Sequence, residues 1–141
     1  MIVKELFTFI PLVIVLSLVT STARAGQDEI LSGRSWVAED INGKGVMDML
    51  QTTLEFGEDG KVGGNAGCNR YFGSVKVEGD KIEFGPLGAT RKMCPESIMN
   101  QEDAYFKAVP EVVRWRIENG LLFLYSDGDS PILRLSEIDE K

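Results

Sequence analysis

The sequence predicts an α+β domain dominated by antiparallel strands. Three observations predict it. Short apolar segments alternate with turn signals at close spacing, the dipeptide Asn119-Gly120 separates two apolar stretches, and only residues 95–109 carry a helical period. Residues 35–39 and 50–56 read as strands around the turn-rich Asn42-Gly43-Lys44-Gly45. In the second, Leu50, Thr52, Leu54 and Phe56 share a face by the two-residue period of a strand. Gly57-Glu58-Asp59-Gly60 turns the chain towards Lys61 and Val62. Residues 71–77 form the next strand, with Val75 and Val77 alternating against Ser74 and Lys76. Tyr71 and Phe72 point to opposite faces, so only one of them enters the core. Glu78-Gly79-Asp80-Lys81 makes a hairpin into residues 82–84.

In the helix, Ile98, Glu102, Tyr105 and Val109 fall on one stripe. Pro95 suits the first turn, and Pro110, without a donor N–H, ends the run. Asn119-Gly120 is a two-residue turn between residues 112–118 and 121–125, because both residues tolerate the positive φ such turns need. Asp127-Gly128-Asp129-Ser130 turns once more into a closing strand at residues 132–135.

The N-terminus reads as a secretory signal. Lys4 precedes an apolar run over residues 6–19, and Ala23 and Ala25 form a small-residue cleavage site, so cleavage is expected after Ala25. The run is shorter than the roughly 20 apolar residues that cross a bilayer and contains Pro11, so the mature chain is expected to lack a transmembrane segment. Residues 1–25 are thus a removable signal, and residues 26–141 a single periplasmic or secreted domain. The chain has 15 basic and 22 acidic residues and a net charge of -7. Losing Lys4, Arg24 and Glu5 leaves 13 basic and 21 acidic residues, a charge of -8. Such a domain repels nucleic acid and anionic surfaces.

In an oxidising compartment the only two cysteines, Cys68 and Cys94, read as one structural disulfide. No CxxC pair supports redox chemistry, although a cysteine near a helix start has the setting for a stabilised thiolate. The absence of histidine removes His-based triads and most zinc centres, and no metal or cofactor is expected. Gly63, Gly64 and Gly67 match no phosphate-binding pattern and instead permit bulges or close backbone approach before Cys68. Asn69 is expected to bond local backbone. Glu102, on the apolar stripe, needs a partner: backbone N–H groups, a hydroxyl, or an arginine such as Arg70 or Arg91. Its alternative role is an acid or base with a shifted pKa.

Taken together, Trp36, Phe56 before an Asp-Gly turn, Gly67-Cys68-Asn69-Arg70-Tyr71-Phe72-Gly73, Thr90-Arg91-Lys92-Met93-Cys94, the Glu-bearing helix and the Leu-rich final hairpin resemble the META domain, known also from HslJ-like heat-shock proteins. The likeness spans residues 30–136. It implies a curved, barrel-like antiparallel sheet with one helix packed against it, and makes Gly67, Asn69, Tyr71, Gly73, Thr90 and Glu102 structural motif residues beside the cysteines. Together with the N-terminal signal it points to an exported, non-enzymatic stress-response or binding domain for an apolar ligand or an envelope protein, expected to be a monomer. By fold analogy with secretin pilots, the ligand would sit in a sheet-lined cavity. The alternatives are a histidine-independent enzyme using carboxylates such as Glu102, and an inhibitor or scaffold surface. A deep apolar pocket at Trp36, Phe56 or Trp115 would favour the binder, and converging carboxylates the enzyme.

Overall fold

The computed structural model describes residues 28–139. The signal segment and its cleavage site after Ala25 lie outside the described residues, as do the last two residues of the tail. In chain order the elements are α1 (Asp28–Leu31), β1 (Ser35–Ile41), β2 (Lys44–Gly45), β3 (Thr53–Phe56), β4 (Lys61–Asn65), β5 (Arg70–Glu78), β6 (Lys81–Phe84), β7 (Gly88–Ala89), α2 (Glu96–Ala108), a 3-10 turn Val109–Glu111, β8 (Arg114–Glu118), β9 (Leu121–Tyr125) and β10 (Pro131–Glu137).

Every strand pairing is antiparallel. The path β10-β9-β8-β6-β5-β4-β3-β1 returns on itself because β1 also pairs with β10, making a ring-like sheet. Alternation places the core inside it. Trp36 and Ala38 face inward from β1, Leu54 and Phe56 from β3, Leu122 and Leu124 from β9, and Leu133 and Leu135 from β10. A register shift at Ala38/Asp40 resets the alternation, so Ile41 is again buried. The ring is weakest between β6 and β8, whose register holds the single pair Lys81↔Arg114.

Helix α2 covers one opening of the ring. Its Gln101 amide donates to the Thr52 hydroxyl at 3.1 Å and accepts from the Met47 N–H at 2.9 Å. Glu102, Tyr105 and Ala108 turn inward, and Pro110 converts the helix end into the 3-10 turn. At the far end of the ring's closing pair, Arg34 binds Glu137 at 2.6 Å. That pairing raises the Arg34 pKa and holds Glu137 below the usual carboxylate range.

Several boundaries differ from the sequence reading. Residues 50–52 are irregular because a turn bonds the Leu50 N–H to the Met47 carbonyl, so β3 begins only at Thr53. Residues 112–113 belong to the exit from the 3-10 turn, and β8 starts at Arg114. The short β2, β7 and α1, two to four residues each, carry too few periods to be read from sequence. Asn119 and Gly120 have φ of 52° and 76°, as their hairpin requires.

Gly64 is the tightest backbone contact in the sheet. At φ 149°, a Cβ there would lie 2.3 Å from the Thr53 carbonyl oxygen. Gly64→Ala is expected to cost about 2–3 kcal/mol in urea unfolding, through strain and overpacking together. Gly128→Ala, with open space around it, should stay within about 0.5 kcal/mol of the parent. Equal small effects at both positions would contradict the close approach.

Candidate functional site

The two sequence motifs meet at the end of the ring that α2 covers. Cys68 and Cys94 are bonded, with Cα atoms 5.9 Å apart. Gly67, at φ 144°, lets the helix come close: a Cβ there would sit 3.3 Å from Glu102 Cβ. Glu102 therefore reaches the backbone. Its Oε2 accepts the N–H groups of Cys68 at 2.9 Å and Asn69 at 2.7 Å, and its Oε1 accepts the Asn69 side-chain amide at 2.7 Å. Only 4% of Glu102 is exposed, and these three donors offset its burial.

Asn69 passes the constraint on. Its Oδ1 accepts the Lys92 N–H at 2.6 Å and the Thr90 hydroxyl at 2.9 Å, while its Nδ2 also donates to the Lys92 carbonyl at 3.2 Å. Thr90 N–H adds a bond to the Arg70 carbonyl at 3.0 Å. Residues 88–94 are thereby laid antiparallel along residues 68–72, tied at Phe72/Gly88, Tyr71/Ala89, Arg70/Thr90, Asn69/Lys92 and the disulfide.

Of the partners expected for Glu102, backbone N–H groups are the ones found and the arginines are not: Arg70 lies 3.9 Å from Glu55 and is exposed, and Arg91 is exposed. Backbone N–H groups point at the carboxylate from the Cys68 turn, a geometry no charge count reveals. Asn69 bonds segments more than twenty residues away rather than local backbone. Of the aromatic pair, Tyr71 is the one in the core, and Phe72 is 66% exposed. Gly73 accommodates the crossing segment, since a Cβ would meet Leu87 Cδ2 at 2.7 Å.

Tyr71 extends the network inward. Its hydroxyl lies 2.7 Å from the Thr53 carbonyl and 2.5 Å from the Tyr105 hydroxyl. A carbonyl cannot donate, so Tyr71 donates to Thr53 and Tyr105 donates to Tyr71. Burial pushes both phenols well above their ordinary pKa. Ionised tyrosines are then disfavoured only in the folded state, so the contribution to stability is full below the ordinary tyrosine pKa of about 10 and is lost as pH rises beyond it. Ultraviolet titration should show the phenolates of Tyr71 and Tyr105, assigned with Phe variants, appearing only with alkaline unfolding. Their titration in the intact fold would contradict this burial.

The remaining motif side chains face solvent. Arg91 and Lys92 are exposed, Met93 is 86% exposed, and no acidic side chain among the described residues pairs with Arg91 or Lys92. Phe72 has a glycine opposite it on both neighbouring strands, Gly63 and Gly88, and its ring lies over Gly88. On the other side of β7, Phe84, Pro86, Leu87, Ala89, Phe106 and Pro110 line an open apolar groove of about 480 Å³. Sequence reasoning missed the groove and Gly88, because β7 is too short to leave a pattern.

Of the aromatics whose pocket would favour a binder, Trp36 is fully buried in the packed interior, and Trp115 borders an open depression of about 290 Å³ lined otherwise by Asp80, Arg114, Arg116, Tyr125 and Asp129, its indole N–H bound to the Gly79 carbonyl at 2.9 Å. Phe56 borders a separate surface groove of about 520 Å³ with Leu31, Val75 and Val77. Among the described residues no three His, Cys, Asp or Glu side chains cluster as a metal site, and no helix is long and apolar enough to cross a membrane.

Known proteins place this geometry in a family. A protein from Burkholderia xenovorans solved by NMR is 24% identical, with a TM-score of 0.68 over 80% of this chain and 87% of that one. A DUF4847-family protein from Bacteroides vulgatus is 13% identical, with a TM-score of 0.62 over 82% of this chain and 100% of that one. Both likenesses are of fold. No curated protein matches the sequence. The META domain family model matches residues 28–138, most of the chain, and the chain belongs to the META domain family.

Proposed function

We propose that this META-domain protein is exported and works as a monomeric, non-enzymatic binding domain of the envelope in stress tolerance, engaging its partner through residues 88–94, Phe72 and the adjoining groove. One observation carries the reading. The motif's polar groups, Glu102, Asn69 and Thr90, together with the disulfide, are spent on holding in place a segment whose other side chains, Arg91, Lys92 and Met93, face solvent. A surface ordered in advance loses less conformational entropy on binding. Glu102 supports the non-enzymatic reading, because three protein donors already occupy its carboxylate. The disulfide supports export, since such bonds persist in oxidising compartments. The apolar groove beside β7 takes the place of the sheet-lined cavity.

The test is native mass spectrometry of the protein purified gently from its own envelope, alongside a Phe72→Ser/Met93→Ser variant. The expected result is a retained partner on the parent and bare monomer for the variant at unchanged Tm. The same spectra should show a chain starting at Gly26 and two hydrogens lighter than the reduced mass. Bare parent protein, or a variant that keeps its partner, would overturn the binding assignment at this surface.

A further inference from the structure

Between the exposed Phe72 ring and the apolar groove runs a strand with one side unused. Among the described residues β7 pairs only with β5. In an antiparallel pair, successive residues turn their backbone groups alternately towards and away from the neighbour. The Thr90 N–H bonds the Arg70 carbonyl, so Gly88 and Thr90 face β5, and Leu87, Ala89 and Arg91 direct their N–H and C=O groups to the open side. β8 meets β6 only at Lys81↔Arg114, at the other end of β5 from β7, so no strand among the described residues pairs with this side. A free strand edge of this kind is a template for another chain.

We infer that the open edge of β7 accepts an extended segment of a partner polypeptide as an added strand, one in which apolar residues alternate with polar and acidic ones. This rests on the binding role proposed above and assigns its partner. Alternation follows from the two faces of the edge. Side chains on one face of the added strand would enter the groove of Leu87, Phe106 and Pro110, and those on the other would lie beside Phe72. Acidity follows from charge. Arg91 and Lys92 border the edge in a chain whose net charge is -7, so a narrow acidic segment gains their attraction. A broad anionic surface would also meet the acidic remainder of the chain.

The probe is a synthetic acetylated and amidated heptapeptide, Glu-Leu-Ser-Leu-Ser-Leu-Glu, added to the oxidised protein and followed by amide hydrogen exchange and NMR shifts. The expected result is slowed exchange at Ala89 and Arg91, with shifts at Phe72 and Gly88. A backbone N-methylated copy should fail to bind, and a copy with Lys for both Glu residues should bind at least tenfold more weakly. Ala89→Pro removes a donor the fold does not use, so its Tm should be preserved while binding is lost. Arg91→Glu should weaken binding of the acidic peptide and strengthen that of the basic one.

Equal binding by the N-methylated copy, no binding by the acidic peptide, or protection confined elsewhere would overturn strand addition. Equal or tighter binding of the lysine copy would overturn the acidic partner. Shifts at Phe72 and Met93 caused by vesicles of three parts phosphatidylcholine to one part phosphatidylglycerol, without a peptide effect, would assign the surface to a membrane. Self-association abolished by Ala89→Pro would assign the edge to a second copy. A native partner retained by Ala89→Pro yet lost from the Phe72→Ser/Met93→Ser variant would leave the binding role standing and remove only this edge.

Discussion

Replacing Cys68 and Cys94 together by serine is expected to lower the unfolding free energy by about 3–4 kcal/mol, the chain-entropy value for a loop closed over 26 residues. For a domain of this size that is a large part of the total. The loss acts mainly through the unfolded chain, because the folded segment keeps its other ties. Asn69 still holds Lys92 through both its N–H and its carbonyl, and Thr90 still bonds Arg70. Urea unfolding measures the free energy, and amide exchange at Lys92 under native conditions measures the segment. Exchange at Lys92 should remain slow relative to the new global stability. A loss below about 1 kcal/mol would show that the bridge restrains little of the unfolded ensemble.

Glu102→Ala should cost about 3–5 kcal/mol and act on the folded state, since it strands three donors at once: the N–H groups of Cys68 and Asn69 and the Asn69 amide. Asn69 cannot turn over to compensate, because its oxygen is held by Lys92 N–H and the Thr90 hydroxyl. Glu102→Gln separates geometry from charge. Its oxygen can keep the two backbone donors, but its amide then faces the Asn69 amide, donor against donor, so about 1–3 kcal/mol should be lost. Here, unlike in the cysteine variant, native-state exchange at Lys92 should quicken. Equal stability of Ala, Gln and parent would show that Glu102 does not organise this end of the ring.

Much of the fold was legible because it rests on period and turn chemistry. Leu122, Leu124, Leu133 and Leu135 alternate in sequence and all reach the core, and Asn119-Gly120 can hardly be anything but a tight hairpin turn. The site was legible in composition and not in wiring. Glu102 stood out as a carboxylate on an apolar stripe, yet its partners come from residues more than thirty positions earlier. They are mostly backbone, which every residue carries and no side-chain pattern marks. Arginine, the partner that charge proposes, stays in water because solvated guanidinium loses nothing while backbone N–H groups left buried would.

From the residues alone came the alternation of strands, the long helix, the cysteine pair and the motif that marks the family, because each depends on neighbours in sequence or on side-chain type. The tertiary structure alone decided that the sheet closes through β1 and β10, that Tyr71 and not Phe72 is buried, that Glu102 binds backbone, and that β7 has a free edge beside a groove. The reason is physical. Local preference acts over a few residues, whereas closure, burial and unpaired edges are set by which distant segments arrive at the same place.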